Sequence, residues 1–196
     1  MNLASPSRSG RHSAGPGLFR PALELLVGYA RVHRDRRNIQ THLVGVPVGI
    51  VGVALLMRGP LVGQVPALLT PAWVAFALVS AWYLTRGQFA LGLATSALVG
   101  ALVFAAHAVP VFGLAPWLAG SLGLLVLASL LQMAGHYYEG RRPATWQSPV
   151  YLLVGPMFVA FELLSGAGLM RRVAAEVTRV AGPVHVRDLA HPMPQR

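Results

Sequence analysis

His33, His42 and His136, together with Glu139 and Glu162, are the residues whose types and setting could carry chemistry in this chain. Imidazole nitrogens with one or two carboxylates suit a first-row transition metal. Two His and one carboxylate with open positions is the arrangement of non-haem Fe(II) oxygenases, while three His with an open position also serves zinc hydrolases. Ligand type alone therefore leaves the metal open. With no cysteine anywhere in the chain, disulfides, zinc ribbons, thiolate-ligated clusters and a Cys nucleophile are excluded. His136 and Glu139 are three residues apart, and Asn38 and His42, like Tyr29 and His33, are four apart. Each pair can face one centre from a helix. His33 and His42 are nine apart, half a turn off register on a continuous helix. They meet only if the chain breaks between them, and the charged run Arg34-Asp35-Arg36-Arg37 is the place for that break.

The elements that must position these residues follow from composition. Of 196 residues, 55% are hydrophobic and 11% charged, against roughly 25% charged in soluble domains. A chain so short and apolar cannot bury its side chains in one aqueous core, so most should face lipid. Ile39–Met57, Pro66–Leu84, Gln88–Val109 and Val111–Ala134 read as four spans of about the 20 residues a bilayer requires, the last two divided only at Pro110. Gly, Ala and Ser within them let helices approach closely. From Leu18 to Val32 an amphipathic pattern predicts a helix lying in the interface. A fifth apolar stretch, Pro149–Leu164, is short, carries Gly155-Pro156 and contains Glu162. The expected fold is therefore all-α: a polytopic membrane bundle of about four spans, a re-entrant or interfacial fifth segment and an N-terminal amphipathic helix. Residues 1–17 form a basic, disordered extension without a signal-peptide core, 18–170 the membrane-embedded domain and 171–196 a basic tail.

The charge distribution orients this arrangement. All 16 basic residues are arginines, giving a formal net charge of +10. They sit at the ends and in short loops, which suits anionic headgroups and topology rather than nucleic acid. Seven arginines precede the first span, placing that end in the cytoplasm. Four spans return Gly140-Arg141-Arg142 to the same side, and a re-entrant fifth segment keeps the arginine-rich tail there too. His33 and His42 then share a membrane face with His136 and Glu139, while His107 lies about one bilayer away. Plainer readings exist for each residue. A His at a span end can snorkel, Glu139 can pair with Arg141 or Arg142 or cap a helix, and Glu162 can be a structural hydrogen-bonding residue. Asn38 can bond a backbone group, and Arg141 and Arg142 can simply set topology or hold a substrate carboxylate. The four tryptophans read as interface anchors.

Two compound motifs then carry a resemblance. Tyr29-x3-His33-x4-Asn38-x3-His42-x2-Gly45-Val46-Pro47 resembles the N-terminal signature of the yeast 2-hydroxy fatty acid dioxygenase family. Gln132-Met-Ala-Gly135-His136-Tyr-Tyr-Glu139-Gly-Arg-Arg-Pro143-Ala144, followed by Gly155-Pro156-Met-Phe158-Val159-x2-Glu162, resembles its second. The resemblance implies a small integral membrane enzyme that uses Fe(II) and O2 to shorten 2-hydroxy fatty acids by one carbon. In the fungal relatives this serves sphingoid-base breakdown at the endoplasmic reticulum. It implies His33, His42 and His136 as iron ligands. Glu139 and Glu162 match acidic motif positions and are expected to act in catalysis, with Tyr29, Asn38, Arg141 and Arg142 as substrate contacts. The arginine-rich, lysine-free composition suggests a bacterial inner membrane, with the site near the cytoplasmic face. The extensions at both ends depart from the family pattern.

Other function classes have weaker support. Membrane di-iron desaturases resemble one another in HxxxH and HxxHH clusters, which are absent here. A protein that binds or transports metal or lipid without catalysis would need a polar pathway through the spans. Only His107 and a few Ser/Thr lie deep. An inactive lipid-binding scaffold is the third alternative.

Overall fold

A computed structural model describes residues 17–60, 70–109 and 113–190. Among these residues the chain forms seven α-helices and no strand: α1 (Ala22–Ala30), α2 (Arg36–Arg58), α3 (Pro71–Leu84), α4 (Phe89–Ala108), α5 (Leu114–Glu139), α6 (Tyr151–Gly166) and α7 (Arg171–Ala181), with a 3₁₀ turn at Ala144–Trp146. The all-α fold expected from the sequence is borne out. α2, α4 and α5, of 23, 20 and 26 residues, are about 30–39 Å long at 1.5 Å per residue. Each is long and apolar enough to cross a bilayer. α3 has 14 apolar residues, shorter than the Pro66–Leu84 span expected. The first part of that span, like residues 1–16, the Arg58–Val65 connection beyond Pro60, the division at Pro110 and residues 191–196, lies outside the described residues.

The α2–α5 pair forms the centre of the bundle, and small residues permit it. A Cβ on Gly45 would lie 3.1 Å from Leu131 Cβ, and one on Gly52 3.1 Å from Leu124 Cβ. At Gly135 an added Cβ would collide with Thr41 Oγ1 and Asn38 Oδ1. These facing residues run in opposite directions along the two helices, so α2 and α5 are antiparallel and in close backbone approach, as small residues allow in membrane bundles. The start of α2 thereby meets the end of α5. At the opposite end, the Arg58 guanidinium donates to the carbonyls of Ala106, His107 and Val109, closing the C-terminus of α4. Trp117 Nε1 donates to Leu55 O at 2.7 Å.

The fifth apolar stretch does not descend alongside these helices. Tyr151 lies beside Gly28 and Tyr29, Tyr83 donates its hydroxyl to Leu153 O at 2.9 Å, Gly155 sits beside Val46, and Glu162 approaches Arg34. All these contacts belong to the end of the bundle where α2 begins. α6 is buried continuously from Val154 to Phe161, which explains its apolarity without lipid exposure. α7 then turns back by 116°. With α1, these helices roof one end of the bundle, in agreement with a re-entrant or interfacial reading of Pro149–Leu164.

The bounds differ from expectation in one instructive place. α5 runs through Glu139, so His136 and Glu139 occupy its last turn rather than the chain beyond the span. Gly140, at φ 69°, supplies the left-handed residue that ends the helix, and its N–H bonds His136 O at 2.9 Å.

Candidate metal centre

The predicted break between α1 and α2 is present. α1 ends at Ala30, and the chain turns through Arg31–Asp35 before α2 begins at Arg36. Asp35 is the N-cap of α2: its carboxylate accepts the Arg37 N–H at 2.8 Å. The turn brings His33 over His42, while the antiparallel α5 delivers His136 from the other side. All three rings are buried, His33 and His42 almost completely. Their nitrogens lie within 4.8 Å of one another, the one such group of three metal-capable side chains among the described residues.

Hydrogen bonds fix how two of these rings face. His33 Nδ1–H donates to Tyr29 O at 2.7 Å, and His42 Nδ1–H donates to Asn38 O at 3.0 Å. With Nδ1 protonated in both rings, both Nε2 atoms carry bare lone pairs. Those two Nε2 atoms stand 3.2 Å apart. Burial, reinforced by the neighbouring His42, holds the His33 ring well below the ordinary imidazole range despite its bond to Tyr29 O, so it is neutral at pH 7. Two lone pairs aimed at each other in a buried site are satisfied by a metal ion or a shared proton between them. Metal–nitrogen bonds of about 2.0–2.1 Å place two ligands of one ion roughly 2.9–3.3 Å apart for angles between 90° and tetrahedral. The observed spacing fits. His136 Nδ1 is buried without a hydrogen-bond partner, leaving that nitrogen free to ligate. The neutral imidazoles, oriented by backbone carbonyls, have the outer-shell support typical of metal-ligating His.

The carboxylates do not join this centre. Glu139 Oε2 accepts three bonds: from Arg34 N–H at 2.9 Å, Asp35 N–H at 2.7 Å and Asn38 Nδ2 at 3.1 Å. It ties the end of α5 to the turn that carries His33. Glu162 pairs with the buried Arg34 guanidinium at 3.5 Å. Asn38 Nδ2 also donates to Val32 O at 3.0 Å, so its amide braces the same turn. Tyr29 stacks on His33, with ring centroids 4.0 Å apart; burial pushes its hydroxyl above the usual phenol range. Arg141 donates to Arg31 O at 2.8 Å on the surface, and Arg142 lies over Trp146 at 5.5 Å. His107 is at the far end, bonded to Val103 O and Thr70 Oγ1.

Removing the Glu139 carboxylate should therefore loosen a ligand without deleting one. Glu139→Ala is expected to weaken metal affinity about 10–100-fold, the range for outer-shell losses, as measured by competition with a chelator. Unchanged affinity would show that the turn holds itself.

Sequence reasoning overlooked a second brace. Residues 183–187 dock on the turn as a strap, through a parallel bridge between Asp35 and His185. Arg36 N–H donates to His185 O at 2.8 Å, and His185 N–H to Arg34 O at 2.9 Å. Asp35, fully buried, also accepts Arg187 N–H at 2.7 Å and the Arg37 guanidinium at 2.8 Å. Burial alone would raise the Asp35 carboxyl, but these bonds from Arg37 and Arg187 outweigh it and bring it to about 2. An Asp just ahead of an apolar span is the sequence signal by which the N-cap role of Asp35 could have been found. Nothing in residue type announced the strap, whose pairing is mostly backbone. Ending the chain at Gly182 should raise amide-exchange rates at Arg36 while leaving those of α5 unchanged; equal rates in both chains would mean the strap holds nothing.

Among the described residues, an all-helical bundle with three helices long and apolar enough to cross a bilayer and a buried three-histidine cluster that could hold a metal are compatible with a membrane protein carrying a metal-capable centre at one end. The family model for 2-hydroxy-palmitic acid dioxygenase Mpo1-like proteins matches residues 19–167, and the chain belongs to that family. The matched region contains all three histidines, Glu139 and Glu162; α7 and the strap follow it. No curated protein and no solved structure matches the chain significantly.

Proposed function

We propose that this protein is an Fe(II)-dependent dioxygenase that converts 2-hydroxy long-chain fatty acids to acids one carbon shorter. The observation that carries the reading is the convergence of His33, His42 and His136, with two Nε2 lone pairs aimed at one point, in a chain of this family. The balance RCH(OH)COOH + O2 → RCOOH + CO2 + H2O closes without an added reductant. Iron held by the three histidines would supply O2 activation and a template for the substrate's carboxylate and hydroxyl.

The protein's own groups do the rest. Tyr29 O and Asn38 O hold the His33 and His42 rings in the ligating tautomer. Tyr29 and Phe158, whose ring centroids lie 4.0 and 5.4 Å from that of His33, wall it from water. Glu139, Asn38 and Arg34 act as positioning residues, with Glu162 balancing the Arg34 charge. Arg141 and Arg142, at the surface of the same end, suit attraction of a fatty acid carboxylate.

We place this end at the cytoplasmic face of a bacterial inner membrane, or of the endoplasmic reticulum in a eukaryote. Among the described residues Arg58 is the one arginine at the opposite end of the bundle, an asymmetry that supports the orientation. Residues 18–170 would form the catalytic domain, with 1–17 an extension. The segment from 171 would brace the domain through α7 and the strap. By analogy with the fungal relatives, the physiological role would lie in lipid breakdown, including that of sphingoid bases.

The test is product analysis. Protein purified without oxygen, loaded with Fe(II), given 2-hydroxyhexadecanoic acid and then exposed to air is expected to yield pentadecanoic acid. Omitting either iron or O2 should abolish it. A folded, iron-loaded protein that forms no shortened acid from any chain length would overturn the reading.

A further inference from the structure

Below the histidines lies an apolar cavity of about 420 Å³. One face of α2 forms its length: Val46, Ile50, Val53, Ala54 and Met57 recur at helical spacing. α3 and α5 wall it, for example through Phe76 and Leu125, and α6 roofs it with Pro156. Its polar lining gathers at the roofed end: Tyr29, whose ring stacks on His33; Gln132, one turn from His136; and Thr145. Val46 stands one turn below His42. Among the described residues, Met57 on α2 and Val103 on α4 line its opposite end. Val53 is 45% exposed, so the cavity is open sideways toward lipid.

We propose that this cavity is the acyl-chain site, and that Met57 and Val103 set the longest chain it takes; this rests on the dioxygenase reading for the identity of the head group. From His42 to Met57 is 15 residues, about 22 Å of helix. An extended alkyl chain built from 1.5 Å bonds advances about 1.25 Å per carbon. A chain with its carboxyl at the histidines therefore reaches Met57 at roughly 16–18 carbons. A groove that begins beside Tyr29, Val46 and Gln132, each stacked on or one turn from a histidine of the centre, and whose lining on α2 ends at Met57 measures length. A groove holding only bulk lipid would need no such alignment with the histidines. The substrate enters sideways from the bilayer past Val53 and keeps its tail in apolar surroundings while its head meets the histidines.

The experiment reads position without turnover. Metal-free protein in nanodiscs is photolabelled with 2-hydroxy acids of 10, 12, 14 and 16 carbons, each with a diazirine at its last carbon. The labelled peptides are then mapped. The attachment point should move down α2 with chain length, from the Ile50–Val53 region for the shortest acid to Met57 and Val103 for the longest. Ala54→Trp, deeper in the cavity, should cut affinity for the 16-carbon acid at least about tenfold while leaving the 10-carbon acid within about twofold. Each methylene denied the groove is worth about fourfold. Met57→Ala should extend the longest bound chain by about two carbons at that same value per methylene. Ordered labelling in a protein that gives no shortened product would uphold the acyl site and overturn only the dioxygenase reading. Labelling spread over lipid-facing residues such as Leu78 and Leu130, without order by chain length, would overturn the acyl site even if shortened product forms.

Discussion

His42→Ala is expected to abolish metal retention and turnover together. The substitution removes one of three converging nitrogens and leaves the His33 Nε2 lone pair facing a void instead of a partner 3.2 Å away. Loss of an outer-shell bond already weakens metal affinity 10–100-fold, so deletion of a ligand should exceed about 100-fold. Metal analysis after dialysis should find the variant nearly empty beside a loaded wild type. His107→Ala is the matched control. It removes an imidazole of the same chain at the other end of the bundle, bonded to Thr70 Oγ1, and should leave metal content unchanged. Because His42 lies in the second turn of a helix capped by Asp35, its loss should leave helical content by circular dichroism intact. A variant that keeps its metal would exclude His42 as a ligand and with it the centre described here.

Gly135→Leu should be the most disruptive change of a residue that is not itself a candidate ligand. Even a Cβ at this position would overlap Thr41 Oγ1 and Asn38 Oδ1 and lie 3.3 Å from the Asn38 Cα. The overlapped atoms belong to side chains, but the Asn38 amide is held by its bonds to Val32 O and Glu139 Oε2, with the Asn38 backbone close behind it. α5 must move away from α2, carrying His136, the next residue, out of reach of the other two rings. Overpacking of this kind costs typically 1–3 kcal/mol, more for bulky side chains. Gly135→Ala should lower the thermal midpoint and metal affinity measurably, and Gly135→Leu should eliminate the bound metal. Gly123→Ala, on the same helix with nothing within 4 Å of the new methyl, should change neither. Equal melting and metal content in all three variants would mean that the α2–α5 approach is not what assembles the centre.

Much of this arrangement was legible before any coordinates. Long apolar runs marked α2, α4 and α5, because a bilayer selects for length and hydropathy that local sequence displays directly. The same-face argument brought together His33, His42 and His136, since span parity and arginine distribution constrain which ends meet. The incompatibility of nine-residue spacing with one helix required a break and placed it at Arg34–Arg37; the turn lies slightly earlier, at Arg31–Asp35, because Asp35 caps α2 and Arg36 and Arg37 form its first turn. Less visible was the division of labour among charged residues. Glu139 read as a ligand candidate from its spacing to His136, but its carboxylate is satisfied by the N–H groups of Arg34 and Asp35, donors that no side-chain pattern reveals. Arg34, one of the arginines read as suiting headgroups, is instead buried with Asp35, Arg34 paired with the distant Glu162 and Asp35 with Arg37. The roof made by α6 could be framed only as an alternative to crossing, because 16 apolar residues satisfy a protein interior as readily as a membrane.

The strap has a consequence for how the protein is made. Its bond from Arg187 N–H to Asp35 spans 152 residues, so the turn bearing His33 leaves the ribosome long before the segment that braces it. At about 5–20 residues per second, that interval is roughly 8–30 s. During it, α2 can enter the bilayer and α5 can pair with it, but the N-terminal edge of the centre waits for the last helix to fold back. The centre is thus finished from the C-terminal side, and a nascent chain stopped short of residue 187 holds its three histidines without the brace that closes over them.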